Sequence, residues 1–202
     1  MYALKWVWVT LLLSSLTVLL VSCQSPRCAE LRVSYHDMGR PLPVMSCGSA
    51  QAHDLVSFFL QTHPKADVSE VSAIAKHYIK EAGIEGVNHD VAFCQMCIET
   101  NYLRFGGDVH RGQNNFSGIG ATGNGVAGAS FKSVQIGVRA HIQHLKAYAS
   151  RKSLQRGLVD PRFVRVRRGS APYVEDLSGK WAVDPHYGAK IRRKLQSLGK
   201  WL

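Results

Sequence analysis

After Asn88 the chain carries Val91, Phe93, Cys94, Met96, Cys97 and Ile98, apolar positions that wrap nearly all round a helix, and then a single acid, Glu99. A helix apolar on every side has no face to offer water, so it must run through the middle of a domain with other elements packed about it. A carboxylate at the end of such a helix is shielded, and charged residues are almost never buried without a partner or a chemical task. The stretch 106–130 that follows is rich in glycine, contains Asn114 and Asn115, and reads as a loop or small hairpin lobe. Apolar neighbours such as Phe93, Ile98 and Phe105 raise a carboxyl pKa by desolvation, as a general acid requires, and a loop beside it can cradle a sugar. Glu99 is therefore the first candidate for a catalytic group.

The remaining sequence supplies packing partners for that helix. Ser49 to His63 holds Leu55, Phe58 and Phe59 at helical spacing and stops at Pro64. Asp67 with Glu70 forms an acidic capping box ahead of Val71, Ile74, Ala75, Tyr78, Ile79 and Ala82, with Gly83 as the stop. Ser133 opens a long amphipathic helix whose inner face is Val134, Ile136, Val138, Ile142, Leu145 and Tyr148. A short helix is expected around Tyr173 to Leu177, and Asp184 with Pro185 at the first helical position opens a last one through Ile191 and Leu195. His141 and His144 lie three apart with no third ligand and read as surface residues; neither a metal nor an organic cofactor is expected.

With 202 residues, 46% of them hydrophobic, the chain can bury one substantial core. That core is assigned to a single domain over 49–202, expected to act as a monomer. Ahead of it, Lys5 and the apolar run Trp6 to Val21 make an export signal over 1–22. Its ending, Leu20-Val21-Ser22-Cys23, resembles a bacterial lipobox, in which the cysteine becomes the first mature residue and carries lipid. Cys23 is thus the expected membrane anchor, 23–48 a proline-bearing tether with a short extended piece at 31–35, and an uncleaved span the alternative. Export permits disulfides, which leaves a Cys28–Cys47 bridge open, whereas Cys94 and Cys97 read as buried small apolar residues.

The formal charge of +11 is concentrated late, in Arg162, Arg165, Arg167 and Arg168 and again in Lys190, Arg192, Arg193 and Lys194. Such a surface is drawn to anionic polymers or lipid headgroups. No nucleic-acid motif is present, and nucleic acid is not expected as a partner.

Four segments occur in a specific order: the helix bearing Glu99, the NNF-x-GI loop from Asn114, FKSVQIGVRAHIQHLKAYA from Phe131, and W-A-x-D-P-x-Y-G from Trp181, with GSAPYVE at Gly169 to Glu175 ahead of the last. In this order the chain, from about Ser49 to Lys194, resembles the glucosaminidases of glycoside hydrolase family 73. The resemblance implies an α+β, mostly α-helical, lysozyme-like domain with a small Gly-rich lobe. It also implies an exported enzyme, held by its lipid and facing the periplasm or cell wall, that cleaves the β-1,4 bond between N-acetylglucosamine and N-acetylmuramic acid in peptidoglycan glycan strands.

On that resemblance Glu99 is the general acid, and Asn114, Asn115, Phe116 and Gly118 contact the sugar or shape the loop. Trp181 stands where the family commonly has a tyrosine; it can stack on a pyranose ring but has no phenolic oxygen, which Tyr187 nearby can supply. Asp184 belongs to the same segment. From Val109 to Val159 there is no acid at all, so Asp108 is the one nearby second carboxylate, and the alternative is assistance by the sugar's own 2-acetamido group. Two other readings stay open, a lytic transglycosylase on the same substrate and a peptidoglycan-binding lipoprotein without turnover.

Overall fold

The computed structural model describes Tyr35 and residues 39–202 except Asn124. Five α-helices dominate: α1 (Ala52–Thr62), α2 (Val68–Glu85), α3 (His89–Glu99), α4 (Val134–Ala149) and α5 (Tyr187–Leu198). α3 touches all four others, and every residue from Asp90 to Cys97 is buried, as its all-round apolar sequence requires. Asn88 caps it, its side-chain oxygen accepting from the backbone N–H of Asp90 and Val91. Asp67 caps α2 in the same manner through Ser69 and Glu70, and Ser133 caps α4 through Ile136.

Several boundaries differ from the sequence reading. Gly83 lies inside α2, and the stop is Gly86, which takes the left-handed conformation at φ 74° that a helix terminus favours in glycine. α5 starts at Tyr187, two residues after Pro185; Asp184 instead accepts from the N–H of His186 in the turn before it. The expected helix near Tyr173 is a single 3-10 turn, Glu175–Leu177. Among the described residues the β component reduces to two isolated bridges, Pro43 with Tyr173 and Ser178 with Ala182, and the Gly-rich stretch is a loop with one 3-10 turn rather than a hairpin. No helix among them is long and apolar enough to cross a membrane.

The segment expected to be a tether is, from residue 39 onward, part of the domain. Leu42 and Val44 are fully buried, and the backbone of 42–44 exchanges hydrogen bonds with Pro172 and Val174 and accepts one from Asn88. Proline at 41 and 43 does not oppose this, because an edge with few ladder bonds tolerates a missing N–H. Cys47 is disulfide-bonded while Cys94 and Cys97 are free and buried, so its partner lies outside the described residues, as do Cys23 and the 1–22 signal.

α2 and α4 are joined by charge as well as by apolar packing. Arg139 pairs with Glu81 at 2.9 Å, and Lys146 with Glu85 at 2.7 Å where both side chains are almost fully buried. Glu85 also accepts from the backbone of Gln155 and Arg156. Such a pair is tolerated inside only when its remaining lone pairs are also satisfied, as they are here.

Candidate active site

Gln95 and Glu99 lie four residues apart on α3 and so share one face. Gln95 is fully buried, whereas Glu99 sits at the helix end with part of its surface open. The chain then leaves the helix through Asn101, Tyr102 and Leu103, all at φ between 48° and 57°, a left-handed run that costs about 1–2 kcal/mol per residue. It persists because the surroundings fix it: Tyr102 N–H donates to Cys97 O, Leu103 N–H to Thr100 Oγ1 and Phe105 N–H to Thr100 O, and Tyr102 and Leu103 are buried. The turn brings Phe105 and Asp108 back beside Glu99.

Two donors from the C-terminal segment meet the Glu99 carboxyl. The Trp181 indole N–H donates to Oε1 at 3.1 Å, and the Tyr187 hydroxyl donates to the same oxygen. Their delivery depends on tight backbone packing at Gly188, where a Cβ would stand 2.7 Å from Glu175 Cα and Val174 O. With no side chain at 188, the first turn of α5 seats against the 3-10 turn, and Tyr187 reaches the core 4% exposed.

Behind Tyr187 a buried polar chain crosses four helices. Tyr187 Oη accepts from Gln95 Nε2 at 3.0 Å; Gln95 Oε1 faces His141 Nε2 at 3.1 Å; His141 Nδ1 faces the Tyr78 hydroxyl at 2.8 Å. Since Tyr187 gives its one proton to Glu99, the directions of the others follow. Gln95 donates to Tyr187, His141 donates from Nε2 to Gln95, and Tyr78 donates to Nδ1. Burial keeps His141 neutral, holding its pKa down at about 3, with His144 adding to the effect, and a neutral ring with hydrogen on Nε2 is what this order of donors requires. Tyr78 and Tyr187 are pushed up by burial, and both remain hydroxyls. Burial likewise raises the Glu99 carboxyl above its usual range, opposed by the Tyr187 and Trp181 donors.

Oε2 of Glu99 faces the loop. A Cβ on Gly118, which is itself at φ 67°, would stand 3.9 Å from that oxygen, so the glycine both adopts the turn and leaves the oxygen accessible. Around it a recess is lined by Ile98, Asn101, Phe105, Asp108 and Gly118. The recess continues past Gly118 and Ala121 into a second arm formed by Ser117, His144, Tyr148, Arg162 and Trp181. Trp181 meets His144 edge-to-face and Tyr148 at a tilt there, at 5.0 and 5.4 Å between ring centroids. The Ser117 hydroxyl, in the same arm, is shielded and has no partner among the described residues.

The asparagines serve the backbone. Asn115 lines the Glu99 recess, while its amide donates to Ile119 O and Ala129 O and accepts from Ile119 N–H. Asn114 donates to Phe131 O, and its carbonyl lies so close to α4 that a Cβ at Gly137 would fall 1.8 Å from it. Phe116 is buried in the main core. Asp184 is engaged by Lys190 at 2.6 Å and lines neither the recess nor the second arm. Asp108 accepts from Gly125 N–H at 3.1 Å and lines the recess. His141, read from sequence as a surface residue, is instead fully buried, because the apolar stripe of α4 extends over it and Tyr78 and Gln95 satisfy both ring nitrogens. His144 is partly buried and pairs with Asp160 at 2.8 Å. Among the described residues no three His, Cys, Asp or Glu converge as a metal-binding group.

The arrangement is that of one desolvated carboxyl at the centre of an open groove, with one oxygen held by two donors and the other free. Such a group can give a proton to a bound oxygen and be stabilised as the carboxylate that results. Residues 75–200, more than half of the chain, match the model of the Glucosaminidase family, described as mannosyl-glycoprotein endo-beta-N-acetylglucosaminidase. A Borreliella burgdorferi protein carrying only the name "Uncharacterized protein" is 49% identical over 155 residues, 77% of this chain and 76% of its own length. The family match runs from α2 to residue 200, and the chain belongs to the Glucosaminidase family of glycoside hydrolases.

Proposed function

We propose that the protein hydrolyses the β-1,4 bond between N-acetylglucosamine and N-acetylmuramic acid in peptidoglycan, with Glu99 as general acid. The observation that carries this reading is the unequal environment of the two carboxyl oxygens. Oε1 accepts from Trp181 and Tyr187, while Oε2 faces Gly118 and the recess. The proton is therefore assigned to Oε2. It passes to the glycosidic oxygen as the bond from that oxygen to C1 breaks, and the two donors on Oε1 stabilise the carboxylate left behind. Burial favours the protonated resting form, as a general acid working near neutral pH needs.

Charge developing at C1 is met by the sugar's 2-acetamido oxygen, after which water completes hydrolysis; Asp108, across the recess, is the other candidate for this task. Trp181 flanks the reaction centre and offers its ring to the glycan. Asn114, Asn115 and Phe116 shape the loop, and Gly118 keeps Oε2 accessible. A peptidoglycan substrate implies an extracytoplasmic protein. Cys23 is the proposed lipid anchor, and 1–22 the export signal.

Zymography on purified peptidoglycan with wild type and Glu99→Gln tests the reading, with mass spectrometry of the released fragments. Glu99→Gln keeps the shape and removes the transferable proton, so cleavage is expected to fall about 100-fold or more while wall binding persists. Retention of more than about a tenth of the activity would remove Glu99 from this role. Fragments lacking the added water would identify a transglycosylase, and a wild type that binds without cleaving would identify a binding protein.

A further inference from the structure

Next to the Glu99 recess lies a second recess, which shares Ile98 and Asn101 with the first. Its far wall is one face of α5, where Lys190, Arg193 and Lys194 follow at helical spacing. Lys190 is paired with Asp184, but Arg193 and Lys194 make no ion pair among the described residues. Lys194 lies with its Nζ 4.9 Å from the centroid of the Tyr102 ring. Tyr102 lines the recess and is 4% exposed; its hydroxyl sits beside Lys194 and Thr62 without completing a hydrogen bond to either. A shielded hydroxyl without a partner among the described residues is uncommon in folded proteins, and beside Lys194, in a recess that Arg193 also lines, it is suited to donate to an anion.

The position of this recess restricts what the anion belongs to. It shares Ile98 and Asn101 with the recess that holds Glu99, so the two recesses are neighbours and one substrate molecule can engage both. We propose that Arg193, Lys194 and Tyr102 form an accessory subsite for a carboxylate of the peptide stem carried by the muramyl sugar, so that the enzyme selects stem-bearing glycan over bare glycan. The proposal rests on the peptidoglycan reading above and adds to it the part of the substrate that sets preference. The left-handed turn at Asn101 to Leu103 places Asn101 on both recesses and Tyr102 on the second.

The test compares binding of two probes by calorimetry, in the Glu99→Gln protein so that turnover does not intervene. One is a soluble glycan fragment bearing its acidic peptide stems, and the other is the same fragment stripped of stems by an amidase. The stem-bearing fragment is expected to bind about tenfold or more tightly, with the advantage shrinking as salt is raised. Adding Arg193→Ala and Lys194→Ala is expected to erase that advantage and leave binding of the stripped fragment unchanged, which also shows that the groove is intact. Equal affinity of the two probes, or a double substitution that weakens both probes alike, overturns the subsite. Cleavage assays with the same pair keep the two ideas separable: a protein that prefers stems but cleaves neither fragment would sink the hydrolase reading and leave the subsite standing.

Discussion

The Tyr187 hydroxyl on the first turn of α5 donates to Oε1 of Glu99 at the end of α3, 88 residues earlier in the chain. That bond makes Tyr187 an extension of the buried polar chain and gives the carboxyl a fixed orientation. Tyr187 accepts from Gln95 and cannot turn its proton inward without losing that partner, so Oε1 remains the acceptor and Oε2 remains the reacting oxygen.

Tyr187→Phe is expected to lower kcat about tenfold or more and to move the basic limb of the pH–rate profile upward. The sign follows from which form the bond favours. The hydroxyl stabilises the carboxylate, so its loss leaves Glu99 protonated to higher pH, and activity that needs the acid form persists further into the basic range. A fall in rate with an unmoved limb would show that Tyr187 acts on position alone. A downward shift would contradict the assignment.

Asp108→Asn is expected to slow turnover by less than about tenfold. Asparagine keeps the oxygen that accepts from Gly125 N–H, so the loop is retained and only the charge is lost. If the substrate's acetamido group supplies the nucleophile, that charge is helpful rather than necessary. A loss equal to that of Glu99→Gln would make Asp108 the second catalytic carboxylate.

The central helix, its cap at Asn88 and its acid at Glu99 are legible in sequence because an all-round apolar pattern allows one placement and a short polar cap one boundary. The groove is less legible. Tyr187 and Trp181 converge on Glu99 through the close approach of Gly188 to residues 174–175, a tertiary contact with no local signature. Gln95 carried a readable signal, since it is a polar residue four positions before Glu99 on a helix otherwise apolar there. His141 carried none, because nothing local separates a buried histidine with two partners from one at the surface. The segment 39–48 misleads for a related reason. Prolines and mixed polarity describe a tether equally well as an edge segment whose alternate residues, Leu42 and Val44, are driven into the core.

His141→Gln is expected to flatten the acid side of the stability–pH curve. In the folded chain His141 is held down at about 3, while an unfolded histidine titrates near 6.5. Between those values the unfolded state binds a proton that the folded state does not, so wild-type stability falls as pH drops from about 6.5 toward 3, and above about 6.5 the residue contributes no slope. Relative to the variant, the wild type is expected to lose up to about 1.4 kcal/mol per pH unit across that window. Urea unfolding at several pH values reads this directly. Parallel curves for the two proteins would show that His141 takes up its proton in the fold as readily as in the unfolded chain, which would turn round the Tyr78–His141 hydrogen bond and leave the donors running to Glu99 as they are.

Trp181 combines two roles that two substitutions separate. Its indole N–H donates to Glu99, and its ring packs on His141, His144 and Tyr148 while walling the second arm of the groove. Trp181→Phe keeps an aromatic face and loses the donor, so its basic limb is expected to move upward, in the same sense as for Tyr187→Phe, with a small change in KM. Trp181→Ala loses both and is expected to raise KM about tenfold as well, since the ring face that a pyranose would stack on is gone. The ring is only partly buried, so the cost in stability is expected to fall below the roughly 3–5 kcal/mol of a fully buried tryptophan truncation. Melting temperature, KM and the pH profile measured on one preparation of each variant decide the matter. A large melting shift in Trp181→Ala with KM unchanged would make Trp181 a core residue that orients Glu99 without touching the glycan.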